Sequence, residues 1–272
     1  MKSKILFFLS FLFICCTTEE TEVQLDAVVD GKYKTNVLME DYTATWCQWC
    51  PRVSKKMEDL WSSTSKRIAP VAIHRYSDVF EFSKQGEMAT KFSVTGAPFV
   101  ILQRNNERWN EQAVKVTDLI AIDSNVGLAL ESSIEDRILS LTVKVGFGAD
   151  LSDLKLSVYL TENGLKANQK TQGDLGYGEG TKIGNSYYLV DFVHDHVLRA
   201  SISQLFGDAI DTSKSKNGEI FEKTYEYVIP EEYSLKSNIV AFVSNKDDKV
   251  LNSRYFVTTG EAASNGKFQT VE

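Results

Sequence analysis

Two cysteines separated by two residues constrain the fold of this chain more than any other feature. Cys47 and Cys50 lie in the hexapeptide W-C-Q-W-C-P. The apolar residues 37–39 before them are typical of a buried strand, and apolar side chains at helical spacing follow. A cysteine pair at a strand-to-helix junction can exchange a disulfide with another molecule, because the helix dipole favours the thiolate there.

The amino-terminal residues indicate an export signal. Two lysines precede an apolar stretch at residues 5–14, which is shorter than the roughly 20 residues of a transmembrane helix. Cys15 and Cys16 follow where cleavage is expected, and a cysteine at that point resembles the lipidated first residue of a bacterial lipoprotein. We predict a signal peptide over residues 1–15 and a lipid anchor on Cys16. Lipidation of Cys15 and a plain signal peptide are the alternatives.

Charge and cysteine usage limit the partners of the chain. The formal net charge is −7 and no basic cluster is present, which argues against nucleic-acid binding. Once the amino-terminal cysteines are cleaved or lipidated, Cys47 and Cys50 have only each other. In an oxidising, exported setting we expect them to form a disulfide at rest.

Two kinds of pattern divide the remaining chain near residue 125. Residues 31–124 alternate apolar strands with helical spacing, which predicts an α/β domain. Residues 125–260 contain short alternating strands with turn signals and almost no helix, which predicts an all-β, immunoglobulin-like sandwich. We place a tether at residues 16–30 before these domains and a polar tail at residues 261–272 after them.

Three kinds of site compete for the cysteine pair. A metal site needs about four ligands, and one C-x-x-C with three histidines in the chain makes zinc improbable. A purely structural disulfide stays open, although so short a loop stabilises a fold little. A redox-active pair is favoured, in which Cys47 is the attacking sulfur and Cys50 resolves the mixed disulfide.

Residues 37–122 resemble the thioredoxin fold. The W-C-x-x-C motif matches its active site, and Pro98 matches the turn that carries its cis-proline. The resemblance implies that Pro98 lies against the disulfide and frames the substrate backbone, while Trp46 shields the sulfurs. It also places Asp41, six positions before Cys47, where that family keeps a buried acid that takes the proton of the resolving thiol. A strand-end aspartate without a catalytic role is the alternative.

A closer resemblance covers roughly residues 30–245. It rests on residues 40–43, Pro51, residues 71–74 and residues 193–199, which contain the distinctive stretch H-D-H-V-L-R. These stretches are similar to the twenty-eight-kilodalton outer-membrane lipoprotein family of Bacteroidetes-type bacteria. The resemblance implies an exported outer-membrane lipoprotein with a thioredoxin-like half and a β-sandwich half. The acidic pair at residues 19–20 implies exposure on the cell surface, with the periplasmic face as the alternative.

The histidines allow more than one interpretation. His194 and His196 are two residues apart, which predicts one face of a strand, but they supply only two ligands for a metal. A polar strand face is therefore favoured. His74 ends a predicted strand, where a role near the disulfide and an ordinary strand-end histidine are equally compatible with the sequence.

The sequence thus predicts a lipid-anchored thiol–disulfide oxidoreductase that exchanges its disulfide with protein thiols or disulfides in the cell envelope. It would need neither a metal nor an organic cofactor. The alternative is a surface-exposed binding or adhesion lipoprotein, in which the first domain is a non-catalytic scaffold and the β-sandwich binds a partner. The direction of exchange and the electron donor stay open.

Overall fold

The computed structural model describes residues 32–105, 107–258 and 263–271. The predicted signal peptide, Cys16 and the tether lie outside these residues. In the described part of the chain, none of the helices has the length and apolar character needed to span a bilayer. Its helices are α1 (Cys50–Ser63), α2 (Gln85–Lys91) and α3 (Ala113–Ile120). Its strands are β1 (Val37–Thr43), β2 (Ile68–His74), β3 (Phe99–Leu102), β4 (Val126–Glu135), β5 (Ile138–Phe147), β6 (Leu154–Glu162), β7 (Leu165–Thr171), β8 (Thr181–Ile183), β9 (Ser186–His194), β10 (Val197–Ser201), β11 (Asp208–Ile210), β12 (Ile220–Val228), β13 (Asn238–Ser244), β14 (Val250–Val257) and β15 (Ala263–Asn265).

These strands form three sheets. The largest has eight strands in the order β14-β13-β6-β10-β2-β1-β3, with β11 also paired to β6. Within it β1 and β2 are parallel, whereas β3 is antiparallel to β1. A four-stranded sheet has the order β12-β5-β4-β15, and a three-stranded sheet has the order β7-β9-β8.

The predicted fold class, a thioredoxin-like α/β domain followed by an all-β immunoglobulin-like sandwich, is wrong. Of the residues that the structure describes, 44% are in strands and 14% in helices, and the strands form three sheets. The strands of the first half do not form a sheet of their own, because β2 pairs with β10 through Ala72 and Val197. Alternating strands and helices predicted the elements, but a pairing so distant in the chain leaves no local pattern. The division near residue 125 stays a prediction.

The core of the sandwich lies between the four-stranded sheet and the β6–β13 region of the large sheet. Leu141 and Val143 of β5 belong to one buried apolar cluster with Val158 of β6 and Ala241 of β13. Alternation of apolar and polar residues along β5 explains this packing, since every second side chain faces the partner sheet.

Strand β1 is buried along its whole length and separates two packing environments. Val37 and Met39 pack with Met57 of α1. Leu38 belongs to the apolar cluster on the opposite face. Because successive side chains of a strand point to opposite faces, Asp41 faces α1 and Glu40 faces away from it.

Two local predictions differ from the structure. The sequence of residues 78–92 predicts one helix that Gly86 weakens in the middle, but α2 covers only Gln85–Lys91. The preceding residues instead form a turn, in which Asp78 Oδ1 accepts a hydrogen bond from the Phe80 amide at 2.9 Å. The predicted polar tail contributes to the packing, since Phe268 is buried and its ring centroid lies 5.6 Å from that of Tyr33.

Candidate functional site

The two cysteines form a disulfide at the beginning of α1. The bond joins Cys47, in the turn before the helix, to Cys50, the first helical residue. The Cys47 amide donates a hydrogen bond to the Ala44 carbonyl at 3.1 Å, which closes this turn. Cys47 is 4% exposed and Cys50 is 1% exposed. Sequence reasoning placed Cys47 at the start of the helix, whereas the structure places Cys50 there.

Pro98 lies in the loop that leads into β3, next to the disulfide. The Ala97–Pro98 peptide bond is cis. Ala97 packs against the small apolar cluster formed by Ala44 and the two cysteines. The Pro98 carbonyl accepts a hydrogen bond from Arg108 Nη2 at 2.9 Å, which ties the loop to the chain beyond β3. The structure therefore brings Pro98 and the cysteine pair together from positions far apart in the sequence.

Two tryptophans border the disulfide. Trp46 is 39% exposed and Trp49 is 41% exposed. The Trp46 indole nitrogen donates to the Tyr76 carbonyl at 3.1 Å, and the ring centroids of these two residues are 5.8 Å apart. The guanidinium of Arg52 lies 5.8 Å from the Trp49 ring centroid. The cysteines are thus buried within an aromatic border that is partly open to solvent.

A contact that no sequence motif predicted comes from β7. The buried side chain of Gln169 donates hydrogen bonds from Nε2 to the carbonyls of Cys47, at 2.9 Å, and Ala44, at 3.3 Å. The next residue, Lys170, donates its amide to the Thr45 carbonyl at 2.7 Å. The three-stranded sheet is therefore attached to the turn that holds Cys47.

Asp41 is a buried acid on the face of β1 that looks towards α1. It is 1% exposed, and its Oδ1 atom has no hydrogen-bond partner in the described part of the chain. Burial, and secondarily the negative charge of Glu111, raise the pKa of Asp41 to about 8. At neutral pH this side chain is mainly a carboxylic acid and can donate a proton.

His74 ends β2 and pairs with Asp78, which sequence reasoning did not single out. His74 Nδ1 and Asp78 Oδ1 are 2.8 Å apart, and the second oxygen of Asp78 accepts a hydrogen bond from the Thr45 amide. Burial favours the neutral acid, but these contacts and the Phe80 amide lower the pKa of Asp78 to about 2. The His74–Asp78 pair thus holds the turn that leads to Cys47.

His194 and His196 occupy different environments, so the expectation of one shared strand face is wrong. The His194 ring, at the end of β9, lies 5.2 Å from the His74 ring. His196 lies in the turn after β9 with φ 59°, and its ring contacts Trp61 and Tyr255. Burial lowers the pKa of each histidine to about 4. The residues that the structure describes contain no group of three His, Cys, Asp or Glu side chains placed to hold a metal ion.

Solved structures with similar folds include two bacterial proteins of comparable size. The structure "HBP35 of Porphyromonas gingivalis" matches with a TM-score of 0.63 and 20% identity, over 82% of this chain and 75% of that chain. A protein of Agrobacterium tumefaciens matches with a TM-score of 0.50 and 11% identity, over 86% of this chain and 96% of that one. A search of the curated proteins gave no match. The fold is thus one that other bacterial chains adopt.

The family described as "outer membrane protein Omp28" matches residues 85–259, more than half of the chain. The protein therefore belongs to the Omp28 family, and the family and the exported, outer-membrane localisation predicted from the sequence are confirmed. A domain of the outer membrane lipoprotein Omp28 from Porphyromonas gingivalis matches with a TM-score of 0.31 and 17% identity, over 49% of this chain and 87% of that chain. The family match includes Pro98 and His194 but begins after the two cysteines.

Proposed function

We propose that this outer-membrane protein is a thiol–disulfide oxidoreductase that exchanges its Cys47–Cys50 disulfide with protein thiols. The observation that carries the proposal is the presence of two further groups around one disulfide. The loop that contains Pro98 packs beside it, and Asp41, a buried acid whose Oδ1 has no hydrogen-bond partner among the described residues, lies on the strand that leads to it. A structural disulfide needs neither of these neighbours.

The exchange proceeds in two steps, each of which forms one sulfur–sulfur bond and breaks another. A substrate thiolate attacks Cys47 Sγ, the disulfide breaks, and Cys50 leaves with the electron pair. A second substrate thiolate then attacks the substrate sulfur of the mixed disulfide and releases Cys47 as a thiolate. The substrate dithiol is oxidised to a disulfide and the protein disulfide is reduced to a dithiol. The reverse sequence reduces a substrate disulfide.

Each neighbouring residue has a role in this scheme. Cys47 is the site of attack because it precedes the helix and borders the exposed Trp46. Asp41 supplies the proton that the Cys50 thiolate takes up, since it is mainly protonated at neutral pH. Pro98 frames the backbone of the substrate, and Trp46 shields the sulfurs.

The cell-envelope setting is part of the proposal. A lipid on Cys16 would attach the protein to the outer membrane, with the described residues on the cell surface and the periplasmic face as the alternative. Protein thiols and disulfides are the substrates available on either side. Neither a metal nor an organic cofactor enters the exchange.

The burial of both sulfurs supports a second candidate, a surface-binding protein in which the disulfide only holds the fold. Gln169 and Lys170 fix the turn around Cys47 by hydrogen bonds. On β9, the side chains of Tyr187, Val190 and Val193 are exposed and apolar, as expected of a surface that binds a partner.

Insulin reduction by dithiothreitol separates these two candidates. The wild-type protein should shorten the lag before turbidity, and Cys47→Ser should remove this effect because it removes the attacked sulfur. Cys50→Ser should accumulate a mixed disulfide on Cys47, since no resolving thiol remains. If wild type and Cys47→Ser give the same turbidity curve and Cys50→Ser traps nothing, the oxidoreductase proposal fails and the binding protein is favoured.

A further inference from the structure

A small cavity lies between α1 and the turn that joins β9 to β10. It has a volume of about 30 Å³ and we call it the α1 cavity. Its walls include Asp41, which is buried, and Glu58, which is exposed. The cavity therefore leads from the interior of the protein to its surface.

Three residues in the wall of the α1 cavity carry buried polar atoms that have no hydrogen-bond partner among the residues that the structure describes. These are Oδ1 of Asp41, Nε2 of His194 and Nδ1 of His196. Buried polar atoms almost always have a hydrogen-bond partner. A polar cavity larger than about 10–15 Å³ with two to four polar neighbours holds water. The α1 cavity meets both conditions for ordered water.

The α1 cavity is also bordered by the two segments that flank the disulfide, although neither cysteine is in its wall. Ser54 is in its wall, and the Ser54 hydroxyl donates a hydrogen bond to the Cys50 carbonyl one helical turn earlier, at 3.4 Å. Thr43, also in the wall, precedes Ala44, which packs on the cysteines. A proton held on Asp41 is thus stored next to the segment that carries Cys50.

We propose that the α1 cavity is a proton path between solvent and Asp41, and that His194 positions the water within it. The proposal rests on the function proposed above and adds a role for a residue of β9. When Cys50 leaves as a thiolate, it takes the proton of the Asp41 carboxylic acid. Water in the cavity then returns a proton from solvent to the Asp41 carboxylate. In the reverse direction each proton moves the opposite way.

The charge states of the wall residues agree with this path. Burial, and secondarily the nearby His74, lower the pKa of His194 to about 4, so its ring is neutral at pH 7. A neutral imidazole offers one acceptor and one donor nitrogen, which suits a chain of water molecules. Titratable or charged groups face the cavity from each surrounding element: Asp41 of β1, His74 of β2, Glu58 of α1, and Asp195 and His196 of the β9–β10 turn. Asp78 pairs with His74, and Glu111 acts on Asp41 through its charge.

The first test measures the rate at which dithiothreitol reduces the disulfide, followed by tryptophan fluorescence at pH 7. His194→Phe keeps a ring but removes the nitrogens, and it should slow reduction about tenfold, within the range that positioned proton transfer contributes. His194→Gln should stay close to wild type because its amide can hold water. Phe80→Leu is the matched control, since Phe80 packs on His194 with ring centroids 5.2 Å apart but is not in the cavity wall. It should leave the rate unchanged.

Rescue distinguishes proton transfer from packing. Added imidazole should restore much of the rate to His194→Ala, because it can occupy the space that the deleted ring leaves. Equal rates in wild type and His194→Phe, or equal slowing in His194→Phe and Phe80→Leu, would overturn the proposal.

A second measurement does not depend on turnover. Carbon-13 titration of the Asp41 carboxyl in the oxidised protein should give a higher pKa in His194→Phe than in wild type, because the acid loses solvation. An unchanged Asp41 pKa would overturn the proton path even if the enzyme is active. A different result is that wild type does not accelerate insulin reduction while the Asp41 pKa is still higher in His194→Phe than in wild type. That result would contradict the proposed function and support a water-filled cavity.

Discussion

Glu40 and Asp41 are consecutive residues of one strand, both are buried, and they are stabilised in opposite ways. On one face of β1, Glu40 forms a bidentate ion pair with Arg104 at 2.8 and 2.9 Å. Arg104 Nη2 also donates to the Tyr159 hydroxyl at 2.7 Å. On the other face, Oδ1 of Asp41 has no hydrogen-bond partner among the described residues.

The two acids therefore have different roles: Glu40 stabilises the fold through an ion pair, and Asp41 holds a proton that can be transferred. A buried charge needs a partner, and the guanidinium of Arg104 lies between the rings of Phe92 and Phe242, 4.6 Å from each centroid. The paired carboxylate therefore connects β1 to the loop after β3 and to β6. The unpaired acid avoids the cost of burying a charge by staying protonated, which makes its proton available. Three predictions test this comparison.

Removing one partner of the Glu40–Arg104 ion pair should have the largest effect on the unfolding free energy. Arg104→Met leaves the Glu40 carboxylate buried without a partner, and we expect unfolding free energy to fall by about 5 kcal/mol. Denaturant unfolding of the oxidised protein measures this. The control is Glu40→Leu with Arg104→Met, which removes both charges and should recover at least half of the loss. A single variant as stable as wild type would show that the pair contributes nothing.

Replacing Asp41 should change how the unfolding free energy depends on pH. The pKa of Asp41 is about 8 in the folded protein against 3.8 for the free side chain, so the folded state binds more protons between these values. Stability therefore falls as pH rises through this window, by about 1.36 kcal/mol per pH unit. Asp41→Asn removes this loss, and its stability relative to wild type should rise by about 4 kcal/mol between pH 5 and pH 8.

The control for the pH dependence is Asp174→Asn. The pKa of Asp174 is lowered, because its carboxylate accepts hydrogen bonds from the amides of Gly176 and Gly178. Asp174 is therefore charged throughout this pH range, and its variant should differ from wild type by a constant amount. A constant difference for Asp41→Asn as well would mean that Asp41 is ionised in the folded protein.

The smallest expected effect on stability concerns two buried tyrosine hydroxyls near the ion pair, one with a hydrogen-bond partner and one without a partner in the described part of the chain. Tyr159→Phe removes a hydrogen bond to a charged group and should cost about 1.5 kcal/mol, while the Glu40–Arg104 pair remains. Tyr42→Phe is the matched variant, because the buried Tyr42 hydroxyl has no partner in the described part of the chain. It should be neutral or stabilising. Equal losses in the two variants would show that the contact with Arg104 adds no stability.

Much of the local structure could be predicted from the sequence. Apolar residues at positions i, i+4 and i+7 predicted the buried face of α1, and Val53, Met57 and Leu60 do pack against β1 and its neighbours. The apolar residues 37–39 predicted a buried strand, which β1 is. The candidate site was predicted in part, since Cys47 and Cys50 were selected from their motif, and Pro98 and Asp41 from the resemblance to the thioredoxin fold. Their roles in exchange stay predictions.

The residues that complete the site could not be found this way. Gln169 reaches the carbonyl of Cys47 from a different sheet, and no pattern around a single glutamine indicates that contact. Asp78 follows His74 by four residues, but sequence reasoning assigned it to a helix and missed the turn it forms. His194 was assessed as a metal ligand, whereas its position in the α1 cavity depends on the turn after β9.

The sequence by itself determined the strand, cysteine pair and helix around residue 47, the pattern of buried faces and the family. These depend on residues close together in the chain, where side-chain periodicity reports which face is buried. Only the tertiary structure decided that β2 and β10 join the two halves in one sheet, and that Glu40 meets Arg104 while Asp41 meets a cavity. Such contacts form between segments far apart in the chain, and which segments meet depends on the packing of the whole fold.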